Sequence, residues 1–323
     1  MLTTTEFIDR ANSYSKTGKP FLFLIDYELQ QPQLWLPDRV DSNELLFYIN
    51  GFTNAKGINK IGLLKFELHP FDREEYRNRF NTVLHHLNYG NTFLTNLTVK
   101  SQVEINTTLR ELFFKVHAPY RCWLRNQFLF FSPESFIKIN NGKIFSFPMK
   151  GTIDATTPHA AAIILNDEKE KAEHVTIVDL LRNDLARVAS HVAVNRLRYI
   201  DEIKTNRNVI LQVSSEISGD LLPIYKNRIG SLLLELLPAG SISGAPKEKT
   251  TEVIRAAEQE PRGYYTGIFG YFDGKNLDSC VNIRFMEQRG ETIFYRSGGG
   301  ITARSNWERE YAEVIQKIYV PVA

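Results

Sequence analysis

Two pairs of glutamates stand three residues apart, Glu170 with Glu173 and Glu310 with Glu313. If the segments carrying them are helices, each pair projects from one face, because residues three and four apart on a helix are neighbours. Two such faces meeting over a pocket would suit Mg²⁺, which takes carboxylate oxygens, retains waters and is often completed by anionic oxygens of a substrate. Spacing alone leaves a second reading open: Glu170 lies between Lys169 and Lys171, as on a solvated helix surface.

Lys150 stands in Pro148-Met149-Lys150-Gly151-Thr152, where an apolar strand ends and a glycine permits close approach of a ligand to the backbone. Its amine could be a nucleophile if desolvation or a nearby cation favoured the neutral form. The plainer reading is a lysine reaching solvent at a strand end. Two glycine-rich stretches, Gly240 to Lys247 and Gly298-Gly299-Gly300, fit neither a phosphate loop nor a dinucleotide fingerprint. They offer backbone N–H groups suited to carboxylates, or simple loop flexibility. His174 next to Glu173 reads as an orienting or core histidine. The seven histidines show no metal-binding spacing, and no nucleophile elbow is present.

The elements that must position these groups follow from periodicity. Phe21 to Tyr27 and Leu45 to Ile49 read as strands, making the start mainly β. Asp72 and Glu75 begin a helix that Gly90 ends. Strands follow at Thr92 to Val103, Gln127 to Ser132 and Ser135 to Ile139, with a short helix from Leu109 to Val116 between the first two. Asn140-Asn141-Gly142 closes a hairpin onto Lys143 to Met149. Thr156 to Val188 is helical with a break near Asn166-Asp167, Asn206 to Glu216 is strand, and Ile229 to Leu237 is helix. A glycine-rich loop over Pro238 to Pro246 precedes a further helix, and Gly267 to Thr302 gives three strands. Ser305 with Glu308 caps a last helix through about Ile318. No repeat or low-complexity linker interrupts this order, so one α+β domain over residues 1–323 is expected.

The chain has 323 residues, 43% of them hydrophobic, and a formal charge of +2 from 39 basic and 37 acidic residues. That field is too weak for a nucleic-acid binder, so an anionic ligand must be held by local donors or a metal ion. Neither a basic leader followed by an apolar run nor an apolar stretch of bilayer length is present, which predicts a cytoplasmic protein without a membrane partner. Cys122 and Cys280 are the only cysteines and read as small buried residues.

Several motifs occur here in one order: Glu173-His174-Val175 through Asp179-Leu180-Leu181-Arg182-Asn183-Asp184, Gly240 to Lys247, Arg262-Gly263-Tyr264-Tyr265-Thr266-Gly267, and Gly298 to Ser305. Together they resemble the chorismate-utilising family, which includes anthranilate, aminodeoxychorismate, isochorismate and salicylate synthases. The resemblance spans about residues 66–320 as a chorismate-binding core behind a short β-rich portion over 1–65. It implies two large antiparallel sheets packed as a sandwich and flanked by helices.

The resemblance also implies roles. Lys150 is similar to the nucleophile of the aminodeoxychorismate synthase component I branch, and Glu134 in Ser132-Pro133-Glu134-Ser135-Phe136 to the family's proton donor. Glu170, Glu173, Glu310 and Glu313 match the carboxylates of its magnesium site. Tyr265 and Arg284 match ligands of the substrate carboxylates, Gly151, Thr152, Gly299 and Gly300 line the substrate, and Lys247 adds a positive charge. The implied reaction turns chorismate and ammonia, supplied by a separate glutamine amidotransferase subunit, into the folate precursor 4-amino-4-deoxychorismate. Amination at C2 with loss of pyruvate, as in anthranilate synthase, and a non-catalytic chorismate-binding protein are the alternatives. Leu94 and Leu211 stand where relatives are usually polar.

Overall fold

The computed structural model describes residues 2–57, 62–204 and 209–322. Apolar runs such as Phe21–Ile25, Leu45–Ile49 and Phe128–Ser132 are continuous rather than alternating because both faces of their strands are covered. Leu22 and Leu24 point inward with Phe47, Phe128, Phe130 and Phe269. Their neighbours Phe21, Phe23 and Ile25 point the other way, into a core shared with helices. The period of two that sends successive side chains to opposite faces thus builds three layers from one strand.

Among the described residues two nine-stranded antiparallel sheets result. In the first, Gln33–Trp35, Phe21–Ile25, Ile268–Phe272, Leu277–Val281, Ser135–Asn140, Lys143–Ser146 and Val209–Leu221 follow one another. Met149–Asp154 and Ala189–Lys204 also pair with Val209–Leu221. The second contains Leu45–Ile49, Tyr120–Leu124, Phe128–Ser132, Phe285–Arg289, Thr292–Ile301 and Leu94–Ile105 in that order, with short edge strands. The α+β sandwich implied by the resemblance is therefore the observed fold, and the first fifty residues contribute strands to both sheets.

Helices cover the outer faces. Glu168–Ala186 and Ile229–Leu236 pack on the first sheet through Ile177, Leu181, Leu232 and Leu233. Arg73–Asn88, Lys247–Glu258 and Trp307–Gln316 meet the second sheet at Leu97 and Val99. No helix among the described residues is long and apolar enough to cross a membrane.

Several sequence expectations need correction. Residues Thr4–Lys16 form a helix rather than part of a β-rich start; Thr3 and Glu6 make its capping box, and Phe7 and Ala11 are buried. Ala189–Lys204 is a sixteen-residue strand that went unread because its three register shifts and many polar residues blur the alternation. Tyr120–Leu124 was also missed. The strand expected at 206–216 is observed from Val209, and its first three residues lie outside the described ones. Residues 238–246 hold a short helix, Gly240–Ser243, and two residues of strand. The last helix is capped by Asn306, while Ser305 accepts from the Thr302 N–H. Residues 267–302 give four strands, because the chain changes sheet at Asn282-Ile283-Arg284 without any Gly or Pro to announce it.

Candidate active site

Two corners where the chain passes between the sheets lie side by side. Pro133-Glu134 joins Phe128–Ser132 in one sheet to Ser135–Asn140 in the other, and Asn282-Ile283-Arg284 makes the reverse crossing. They are hydrogen-bonded to each other: Val281 N–H donates to the Glu134 carbonyl at 3.1 Å, and Phe131 N–H to the Arg284 carbonyl at 3.2 Å. A sandwich with switching strands makes such corners; here one carries a carboxyl and the other a guanidinium.

Glu134 is held by Ser241, whose hydroxyl donates to Oε1 at 2.6 Å. Burial pushes the Glu134 carboxyl above the ordinary glutamate value, although the Ser241 hydrogen bond and the charges of Arg284, Lys150 and Lys317 pull the other way. A carboxyl that holds its proton more tightly than usual is better suited to act as a general acid. Arg284 has a left-handed backbone, φ 52°, and lies 5.0 Å from the Tyr319 ring centroid. Its buried Nε–H has no hydrogen-bond partner among the described residues, and a guanidinium can pair with a carboxylate through two N–H groups. Tyr265 is buried behind it with its hydroxyl pushed up to about 12 by burial.

Lys150 sits in a bulge. Lys150 pairs with Val213 and Thr152 with Gln212, so Gly151, at φ 75°, is the extra residue. Bulges re-aim the side chain beside them. A Cβ on Gly151 would stand 3.2 Å from Glu170 Oε2, so a side chain there would crowd that carboxylate as well as strain the backbone. Lys150 Nζ is 2.7 Å from Glu173 Oε2. Burial alone would depress the lysine, but Glu173, with Glu170 and Glu313 behind it, outweighs burial and raises its pKa above the ordinary lysine value. Nucleophilic use of Lys150 therefore requires that this carboxylate charge be offset. Thr152, two residues on, is exposed.

The triple glycine is strand, not loop. Gly298, Gly299 and Gly300 pair with Thr98, Leu97 and Asn96, and among the described residues the pairing of their strand's other edge with Phe285–Arg289 stops at Arg296. A Cβ on Gly300 would stand 3.7 Å from Lys150 Nζ, 3.8 Å from Glu173 Oε2 and 3.1 Å from Leu94 Cδ1. One on Gly299 would stand 3.7 Å from Lys317 Nζ and 3.8 Å from Glu313 Oε1. Two glycines without side chains therefore clear the space between the helix carrying Glu170 and Glu173 and the helix carrying Glu310 and Glu313. Leu94, one of the departures from the family pattern, forms an apolar wall of that space.

Lys317 was missed by sequence reasoning. Its ammonium contacts Glu313 Oε1 at 2.7 Å and donates to the Gly298 carbonyl at 3.0 Å. Its only signal was the four-residue spacing from Glu313. Lys247, by contrast, is committed elsewhere: it lies 2.7 Å from Asp184 Oδ2 and donates to the Leu236 carbonyl at 2.9 Å, joining three helix ends. His174 is a core histidine hydrogen-bonded to Ser215 at 2.6 Å, its pKa pushed down to about 4 by burial and by the charges of Arg198 and Lys150. A cleft of about 250 Å³ lies behind the site, lined by Pro133 and Met149, whose neighbours Glu134 and Lys150 take part in the cluster.

The model of the chorismate binding enzymes matches residues 62–323. The chain belongs to the chorismate-binding enzymes. A protein of Pasteurella multocida described only as PabA-like is 50% identical over 318 residues, 98% of each chain. Aminodeoxychorismate synthase component 1 of Escherichia coli is 32% identical over 262 residues, 76% of this chain and 56% of that one. Anthranilate synthase component 1 of Acetivibrio thermocellus is 40% identical over 58% of this chain and 38% of its own length. This chorismate-binding enzyme thus spans about half or less of those two longer relatives. Among solved structures, the menaquinone-specific isochorismate synthase of Escherichia coli superposes with a TM-score of 0.74 at 15% identity, covering 97% of this chain and 80% of that one. Anthranilate synthase component I of Streptococcus pneumoniae gives 0.67 at 27% identity, covering 80% and 59%.

The donor set of this chorismate-binding enzyme is compatible with Mg²⁺. Glu173 and Glu310 are buried carboxylates, and Glu173, Glu170 and Glu313 all act on the same lysine from two helices. Among the described residues no three His, Cys, Asp or Glu close into a coordination cage by themselves. An ion that keeps waters and takes substrate oxygens does not need one.

Proposed function

We propose that this chorismate-binding enzyme is an aminodeoxychorismate synthase component I, forming 4-amino-4-deoxychorismate from chorismate and ammonia for para-aminobenzoate and folate synthesis. The observation that carries this is Lys150, set by the Gly151 bulge over the space cleared at Gly300 and ringed by carboxylates. Mg²⁺ held by Glu170, Glu173, Glu310 and Glu313 would compensate their charge and polarise the ring carboxylate of the substrate.

With that charge compensated, Lys150 can lose its proton and attack ring C2, while Glu134 gives its proton to the departing C4 hydroxyl and the ring double bonds shift between the two carbons. Water leaves and a covalent adduct remains. Ammonia then attacks C4, the double bonds shift back, and the Lys150 amine departs. Ser241 keeps Glu134 oriented, and Arg284 and Lys317 are the cations for substrate carboxylates. No glutamine-hydrolysing nucleophile is evident, since Cys122 and Cys280 are fully buried with thiols raised by burial. Ammonia would come from an amidotransferase partner, or from ammonium salts in vitro.

Incubation with chorismate, Mg²⁺ and ammonium, followed by mass spectrometry of the products, tests this reading. Aminodeoxychorismate is expected; anthranilate as the main product would move the enzyme to the C2-aminating branch. Chorismate binding without turnover, even with an amidotransferase added, would support a non-catalytic role.

A further inference from the structure

Arg262 is buried to about 2% exposure, and its guanidinium is fully engaged. Nε and Nη2 donate to the two oxygens of Glu258 at 2.9 and 2.7 Å, Nη1 to the Ile242 carbonyl at 2.8 Å, and Nη2 also to the Asn96 carbonyl at 2.6 Å. Glu258 Oε1 accepts in addition from the Thr98 N–H at 2.8 Å. Only a planar fork of five donors can meet so many acceptors at once. Desolvating such an ion pair is costly, and apolar packing often replaces one without loss of stability. Stability is therefore a weak account of its presence, and the segments it ties together suggest a better one.

Each anchor adjoins a different part of the site. Ile242 follows Ser241, which holds Glu134. Asn96 is the ladder partner of Gly300, the glycine that clears the space beside Lys150. Thr98 is the ladder partner of Gly298, whose carbonyl receives Lys317. One ion pair thus spans the supports of the acid, of the amine's surroundings and of the second lysine.

We infer that Arg262, clamped by Glu258, is a positioning residue that sets Glu134 against Lys150 by fixing the Ser241 segment to the strand paired with the three glycines. This rests on the roles proposed above for Glu134 and Lys150. The anchors on Ile242 and Asn96 give Arg262 two arms, and losing both lets the Ser241 hydroxyl drift from Glu134. A displacement of about an ångström between reacting groups can cost on the order of 100-fold in rate.

The test compares Arg262→Gln, Ser241→Ala and the double variant in full-length protein, with chorismate, Mg²⁺ and ammonium. Arg262→Gln should lower kcat by up to roughly 100-fold and change KM less. It should also move the alkaline limb of the kcat profile to higher pH, in the same direction as Ser241→Ala. Because both act through one hydrogen bond, the double variant should lose little more rate than the worse single one. An Arg262→Gln protein that is folded by circular dichroism but keeps kcat and an unmoved limb overturns the inference, as do rate losses that multiply. If Arg262→Gln does not fold, Glu258→Gln, which leaves a carbonyl acceptor for the guanidinium, carries the same comparison. A wild type that forms no aminodeoxychorismate sinks the proposed function and this inference with it; a wild type that forms it while Arg262→Gln is unchanged sinks the inference alone.

Discussion

Two lysine–glutamate pairs flank Gly299 and Gly300, alike in geometry and opposite in consequence. Lys150 lies 2.7 Å from Glu173, and Lys317 lies 2.7 Å from Glu313. Burial presses both ammoniums toward the neutral form. At Lys150 three carboxylates outweigh it and the proton is held more tightly than in an ordinary lysine. At Lys317 burial wins, helped by Lys150 and Arg284 against the single carboxylate of Glu313, and the proton is held less tightly. With the ion pairs alike, the difference in direction comes from the further charges around each amine. On the proposed mechanism Lys150 would be a nucleophile released only when its carboxylates are compensated, and Lys317 would serve as a cation for a substrate carboxylate.

Replacing each lysine by methionine separates these roles most sharply. Lys150→Met should abolish amination, by roughly 10³-fold or more, and remove the substrate adduct seen by intact-protein mass in the absence of ammonia. Lys317→Met should keep the adduct and raise KM for chorismate by roughly 10- to 100-fold, the worth of one charge-assisted hydrogen bond. Equal loss of the adduct in both variants would mean that the two pairs act as one unit. Next in size is Glu134→Gln, expected to lower kcat by roughly 10²- to 10⁴-fold. The pH profile checks the sign: Glu134 must be protonated to act, so wild-type activity should fall as pH rises through its raised pKa, and Glu134→Gln should flatten that limb. Ser241→Ala removes a bond that favours the carboxylate, so the limb should move upward in pH.

How much of this was legible in the sequence differs between the two pairs. Glu170 and Glu173 were readable as one helix face because Asp167 caps the helix and the apolar spacing of Ile177, Val178, Leu181 and Leu185 is strong. Gly151 was readable as a place of close approach to the backbone but not as a bulge, and the roles of Glu134 and Lys150 came only from the family resemblance. Lys317 stood in no motif, and only the fold shows that its helix delivers it to the Gly298 carbonyl. Nor could sequence show that Lys247 would be taken by Asp184, or that Arg284 would turn a corner without Gly or Pro; both depend on contacts between distant segments. Pairing between strands far apart along the chain leaves little local trace. The long strand Ala189–Lys204 adds a local reason: its outer residues face solvent and its irregular register breaks the alternation that reading relies on.

The smallest effect is the most direct check on the comparison, because it needs no turnover. In metal-free protein Lys150 should react slowly with an amine-directed reagent, since its carboxylates hold the proton. Adding Mg²⁺ should compensate them and lower the Lys150 pKa, and each unit lowered gives about tenfold more neutral amine below that pKa. Labelling at Lys150, measured by peptide mass spectrometry at pH 8 to 9, should therefore rise with Mg²⁺. At Lys317, whose proton is already held weakly and which feels one carboxylate rather than three, the rise should be smaller. Glu173→Gln sharpens the test: it removes the largest carboxylate influence on Lys150, so labelling without metal should start higher and respond less to Mg²⁺. Equal responses at both lysines would show that the ring of charges around each amine does not set its basicity, and the distinction between nucleophile and cation would fall.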